Sequence, residues 1–557
     1  MIQTLSLRLV VYTSCSTLLL SACQLPPAPA DLVILGGTLY QQSDTALAVK
    51  RDRILAVGND AEINAYIGSS TQVIQLQGQS ILPGFIDSHI HTIEGALADL
   101  ACSLDDQLLS LSELSMKIHN CALKQPNQSW LELVNVRSAG TELTSSQLDQ
   151  ILSDRPLYLY STDGHTAWAN TKAMQIASIN SETPDPANGR LVRNAAGQPT
   201  GVFLDAATKL ISQHLPAKSA SQVDQVLLAV LHKLNKAGIT GIMEANSDAA
   251  TVEAFCRLSQ RQKLPVQVSL ALGSSGENSS AEWQRLQQLR LQAKRCGLVA
   301  DTIKLYADGV MEAPTQTAAL LEPYDSPPGH HGSLYYSDQQ LNDLVQAAVA
   351  HDFSVHIHAI GDAAVRQSLQ AFGAARQQGA TQRFSLAHLQ LIDPADYQLF
   401  ARYQVIASVQ WLWAQPDEYS VEAIAPFIGT KRHQGLYPAQ SLIQAGAIIA
   451  GGSDWNVSDY NPLAAMAVAT SRRNFNEPQR PPLNASEQVQ LSDMIQAYTV
   501  NSALLAGFPV DSVQLRPGAQ ANLVILNRSV SAPMAGESLL ALKPEWVIVA
   551  GKQVPTN

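Results

Sequence analysis

Leu82-Pro-Gly-Phe-Ile-Asp-Ser-His-Ile-His91 is an apolar run that ends in two histidines spaced i and i+2. Residues two apart on an extended strand point to the same side. His89 and His91 therefore project together from the strand's C-terminal end, which suits two imidazole ligands on one metal ion. The spacing alone is a weak signal. It becomes specific only if ligands at the ends of later strands complete the set.

Working outward, apolar runs rich in Val, Ile and Leu recur at 86–91, 239–245, 266–272, 302–307, 354–360, 384–389, 405–410 and 447–453. Such runs are expected of parallel strands buried on both faces. Helical patterns fall between them at 220–237, 280–294, 337–351 and 363–378. Eight βα units predict an α/β protein built on a (β/α)8 TIM barrel, whose chemistry sits at the C-terminal strand ends. Short β-like runs at 32–35, 46–49, 53–57 and 73–76 are echoed near the other terminus at 522–526 and 545–554. These predict a small antiparallel β-sandwich assembled from residues 31–82 and 505–557, flanking a barrel over 83–504. Residues 93–219 break the alternation and read as a large insertion after the first strand, with its own strand candidates at 130–136 and 157–160.

The 557 residues are 46% apolar and 15% charged, as in a packed globular protein rather than a disordered chain. A net charge of -11 without any Lys/Arg run excludes a nucleic-acid partner. At the N-terminus, Arg8 precedes an apolar stretch too short to span a membrane stably, ending in Leu20-Ser-Ala-Cys23. This resembles the lipobox of bacterial lipoproteins, with Cys23 the lipidated first residue of the mature chain. The alternative is an ordinary cleavable signal with a chance cysteine. Residues 24–30 form a Pro/Ala tether. The lipoprotein reading predicts a lipid-anchored protein of the cell envelope, held at the outer membrane by Gln24 in the position after the cysteine and facing the periplasm. Four further cysteines remain: Cys102, Cys121, Cys256 and Cys296. Proximity favours Cys102–Cys121 and Cys256–Cys296 in an oxidising compartment, although three pairings, or four free thiols, satisfy the count.

The later strands do supply ligands. The fourth ends in Ile303-Lys304-Leu-Tyr-Ala-Asp308-Gly309 and the fifth carries Val355-His-Ile-His358-Ala-Ile-Gly-Asp362. The sixth carries Ser385-Leu-Ala-His388 and the eighth ends in Gly451-Gly-Ser-Asp454. Together with Asp163-Gly-His165, the D-P-A-N-G-R and P-T-G-V segments, Thr317-Ala-Ala-Leu-Leu-Glu-Pro-Tyr324 and Gly451-Gly-Ser-Asp-Trp455, this series resembles the amidohydrolase superfamily. More narrowly it resembles the YtcJ-like group that includes N-substituted formamide deformylases, over about 31–554.

The resemblance implies a metal-dependent hydrolase holding two divalent ions, Zn2+ by ligand type. His89 and His91 would hold one ion and His358 and His388 the other. Lys304 would bridge them as a carbamate formed with carbon dioxide, since an unmodified ammonium has no lone pair to offer. Asp454 would bind the first ion and carry protons. His356 faces the same way as His358, but His358 occupies the family's H-A-I-G-D position, which leaves His356 packed or supporting. The reaction implied is water attack on a small N-acyl, N-formyl or cyclic amide. Alternatives keep the site with one metal or an ester substrate, or make the chain a non-catalytic periplasmic binding or scaffold protein.

Other residues stand further out. His165 is either a substrate-facing or an ordinary loop histidine. Asp362 orients its neighbour or caps the next helix. His330-His331 form a lid, an extra metal site or a solvated loop. Trp411, Trp413 and Trp455 follow strands seven and eight, and either line the pocket or fill core. Two departures bear on specificity: Val310-Met-Glu-Ala-Pro-Thr-Gln-Thr317 lacks the arginine common after the strand-four D-G, with Pro314 or a neighbour in its place, and Asn522 replaces a common aspartate.

Overall fold

The computed structural model describes residues 27–98, 100–137, 143–313, 315–530 and 534–555. The expected leader, Cys23 as the expected site of lipid attachment, and the first tether residues lie outside them, as does Pro314. The last tether residue is not free: Ala30 is buried and its N–H donates to Tyr66 O at 2.9 Å.

Eight parallel strands form one sheet: β1 (Phe85–Ile90), β2 (Ile239–Ser247), β3 (Gln267–Gly273), β4 (Val299–Tyr306), β5 (Ser354–Ala359), β6 (Phe384–His388), β7 (Val405–Val409) and β8 (Ile448–Gly451). The first and last close the barrel where the Asp454 N–H donates to His89 O and the His91 N–H to Trp455 O, both at 2.7 Å. All six residues of β5 and all five of β6 are buried, because helices cover the outside and side chains fill the inside. The register sets Lys304 opposite His356 and Ala359 opposite His388, so the ligand candidates fall at one end. The covering helices begin at capping boxes on Ser219 and Ser337, with Gln at the third position reaching back in each.

The terminal segments form two facing sheets. One contains Leu32–Leu35, Ala46–Lys50, Arg53–Gly58 and Gln72–Gln75; the other joins Thr38–Leu39 and Ser80–Pro83 to Leu523–Leu526, Pro544–Val549 and Lys552–Val554. Ile34, Leu47, Ile81, Leu523 and Ile548 meet in the core between them. The pairing is mixed rather than wholly antiparallel: Leu32–Leu35 runs parallel to Gln72–Gln75, because the connection through the helix Asp60–Asn64 crosses over. Leu505, Phe508 and Val513 pack with Ile86, Met243 and Ala271 of the barrel, so the sandwich side of this boundary starts nearer Leu515 than residue 505.

The insertion is a body of its own, a six-stranded mixed sheet over Cys102–Ser103 to Pro199–Asp205 with cores around Leu133 and Phe203. Disulfides join Cys102 to Cys121 in the insertion and Cys256 to Cys296 between consecutive barrel helices.

Candidate metal centre

His89 and His91 reach from β1 toward Asp454, whose Oδ1 lies 3.3 Å and 3.1 Å from their Nε2 atoms. Lys304 Nζ is 3.3 Å from His89 Nε2. His388 Nδ1 lies 3.6 Å from Asp454 Oδ2, and the His358 and His388 rings are 4.4 Å apart. Ligand atoms of His89, His388 and Asp454 all fall within 4.8 Å of one another. His388 and Asp454 take φ of 77° and 55°, values that non-glycine residues hold only where the surroundings over-determine them.

The electrostatics favour a cation. Burial holds His89 down at about 3, and keeps His358 and His388 well below the usual imidazole range, so these rings are neutral. Burial opposes the Asp454 charge, but His89, His91 and His388 hold its carboxyl well below the usual carboxylate range. Asp454 Oδ1 is buried without a hydrogen bond. The nitrogens of His89, His91 and His388 converge on this one buried carboxylate, and a divalent cation fits such a set of electron-pair donors. Burial also pulls Lys304 down to about 7, against the attraction of Asp454.

A supporting layer fixes these donors. His356 Nε2 lies 2.7 Å from His89 Nδ1, and His356 Nδ1 lies 2.7 Å from Ser385 Oγ. His356 is thus packed behind a ligand candidate. Asp87 Oδ1 accepts the N–H groups of His89 at 3.1 Å and Ser453 at 3.0 Å, tying the first strand to the last. Asp308 accepts N–H groups from Ala319, Ile360 and Gly361, and Glu244 accepts from Thr92. Burial raises all three carboxyls to about 7. Sequence reasoning passed over Glu244; the signal was a single acidic residue inside an otherwise neutral buried strand. His358 Nε2 donates to Gly309 O at 2.9 Å.

The insertion brings His165 to the site, with its ring 5.5 Å from that of His358. Burial acts to lower its pKa, but the 2.7 Å bond to Asp205 and that residue's charge outweigh it and raise it to about 9. Of the tryptophans, Trp411 is fully buried in the core between barrel and helices, a correction to its expected place in the pocket. Trp413 instead lines the cavity and stacks parallel to His388, centroids 5.4 Å apart. Trp455 packs over Gly95 and edge-on to Tyr460. His330 and His331 bond to the carbonyls of Gln316 and Leu320 and serve the loop. Asp362 sits in the first turn of the helix Asp362–Gln377 and accepts the Leu321 N–H at 2.8 Å.

A closed parallel barrel with imidazoles, a lysine and a carboxylate converging at its C-terminal end defines a barrel of the metal-dependent hydrolase class. The chain belongs to the amidohydrolase family, whose model matches residues 72–555. It is 28% identical to the protein LONG AFTER FAR-RED 3 of Arabidopsis thaliana, over 90% of this chain and 88% of that one. It is 25% identical to an N-substituted formamide deformylase of Arthrobacter pascens, over 88% and 91%. The crystal structure of an uncharacterized metal-dependent hydrolase from Pyrococcus horikoshii shares the fold, with a TM-score of 0.70 at 20% identity over 89% of this chain and 97% of that one.

Proposed function

We propose that the protein is a metal-dependent amidohydrolase that cleaves a non-peptide, amide-type C–N bond in a small N-acyl, N-formyl or cyclic amide. The observation that carries this reading is the convergence of His89, His91, Lys304, His388 and Asp454 at one end of the barrel, with three imidazoles gathered on one buried carboxylate. The relative that acts on N-substituted formamides supports the choice of bond.

His89, His91, His358, His388 and Asp454 would hold the metal, Zn2+ by ligand type. A divalent ion there acidifies water and polarises a carbonyl. The chain's own residues do the rest. Asp454, kept as a carboxylate, accepts the proton of the attacking water and returns it to the leaving nitrogen. His165, protonated and held by Asp205, offers Nε2–H to the substrate's carbonyl oxygen. Lys304, pulled down to about 7, has a neutral amine able to add carbon dioxide and become a ligand.

A mononuclear site is the second reading, favoured by the compact His89–His388–Asp454 group and by the His358 bond to Gly309. Metal analysis of the purified protein separates the two. Two equivalents, falling on Lys304→Ala, support the dinuclear reading, and one equivalent that survives Lys304→Ala supports the other. No bound metal, with no turnover across a panel of N-formyl and N-acyl amines, would leave only a non-catalytic binding or scaffold role.

A further inference from the structure

Beside the metal centre lies a cavity of about 410 Å3, within the usual range for small-ligand sites. It adjoins the centre through Trp413, which stacks on His388. Four carboxylates line it, Asp163, Glu312, Asp417 and Asp459, while no lysine, arginine or histidine does so among the described residues. Of the nearby cations, Arg137 pairs with Glu418, Arg480 with Glu422 and Glu477, and His165 with Asp205, while Arg472, over the Tyr437 ring, is held by the carbonyls of Leu483, Tyr437 and Leu436. Three of the carboxylates have structural work, since Asp163 accepts the His165 N–H, Asp417 caps Ser420 and Asp459 accepts the Asn461 N–H.

Glu312 is different. Its side chain accepts from Gln390 Nε2 at 2.8 Å. A carboxylate only accepts, so the Gln390 amide must present its nitrogen to Glu312 and its oxygen away. That Oε1 is buried with no donor at hydrogen-bond distance, although the Tyr437 hydroxyl interacts with the same amide, and the residue as a whole is 1% exposed. A buried acceptor left without a partner costs on the order of a lost hydrogen bond, so the arrangement is completed by a ligand that brings N–H groups. Burial raises the Glu312 carboxyl by more than the Gln390 bond and the His165 charge offset, an expense that a further cation alongside would relieve. Trp413, Tyr419, Tyr437 and Phe475 supply apolar walls and ring faces suited to a cation on an organic body.

We propose that this cavity selects amides carrying a cationic nitrogen, ammonium, amidinium or guanidinium, on an apolar or aromatic body, with the cation held by Glu312 and Gln390. The scissile amide then lies toward His388 and Asp454; this placement rests on the hydrolase reading, whereas the cation preference does not.

The test uses the metal-reconstituted full chain. Calorimetry compares benzamidinium with neutral benzyl alcohol, and turnover compares N-acetyl-1,5-diaminopentane with uncharged N-hexylacetamide. The expected result is a preference for the cation of roughly tenfold or more, in Kd and in KM, from a charged hydrogen bond. Glu312→Gln reduces it toward parity while metal content stays unchanged, and Gln390→Met gives the same reading if Glu312→Gln does not fold. Equal binding of cation and neutral probe by the wild type, or a preference that survives Glu312→Gln, overturns the proposal. Cation binding without turnover of either amide would sink the hydrolase reading and leave this one standing.

Discussion

Burial lowers Lys304 from its usual value near 10.5 to about 7, and the chemistry proposed for this residue depends on that shift. Carbon dioxide adds to a neutral amine, not to an ammonium, so carbamate formation must rise with pH through about 7. At pH 8 about nine-tenths of the amine is neutral, whereas an unperturbed lysine would be almost wholly protonated. Carbon-13 NMR of protein equilibrated with labelled bicarbonate should show a carbamate signal at pH 8 that falls away below pH 6 and is absent in Lys304→Ala. A signal independent of pH over that range would contradict the assignment. His356 makes a second prediction at this scale. Its 2.7 Å contact leaves His89 Nε2 free for a metal only if His89 Nδ1 carries the proton and donates to His356. His356→Leu removes that acceptor, and chelator competition should show metal affinity reduced roughly 10- to 100-fold.

At the scale of elements, β1 and β8 meet where Gly452 lies against His89. A Cβ on Gly452 would come within 2.7 Å of the His89 Cβ and 2.8 Å of its backbone N, so this position tolerates no side chain while the strands keep their spacing. Gly452→Ala should therefore part the two strand ends, moving Asp454 away from His89 and His91. Metal content and turnover should fall while far-ultraviolet circular dichroism stays near wild type; unchanged metal content would rule the argument out. The barrel strands themselves are legible in the sequence, because burial on both faces enriches each in apolar residues, interrupted by the polar groups of the site. Less legible is which tryptophan meets the cavity. Trp411 and Trp413 sit on one 3-10 turn, where two residues span about two-thirds of a turn and so point apart. Nothing in their spelling distinguishes them before that turn is known. Glu312 was hidden for a related reason: its segment showed only as a departure from the family pattern, and its role depends on Gln390, which lies on another element.

Across the whole molecule, the barrel supplies the metal donors and the insertion supplies His165, held by Asp205 from the same inserted sheet. His165→Asn should keep the metal and lower kcat/KM by about a hundredfold, as removal of one donor to a developing oxyanion does; loss of metal instead would make the residue structural. The other end of the chain bears on where this chemistry takes place. We propose that Cys23 is lipidated. The fold takes hold of the chain at Ala30, whose N–H is bonded to Tyr66 O. Pro29 is held too, its carbonyl accepting from Lys50 Nζ at 2.7 Å, so only five residues, 24–28, separate the anchor from the sandwich, a reach of about 17 Å when extended. Among the described residues no helix is long and apolar enough to cross a membrane. Wild-type protein expressed in a bacterial host should partition into the detergent phase and incorporate labelled palmitate. Cys23→Ala should do neither, while its kcat/KM for a soluble amide stays at the wild-type value, because the described tether residues bond to the sandwich and not to the metal centre. Recovery of unlabelled wild type in the aqueous phase would contradict the anchor and leave the hydrolase reading intact.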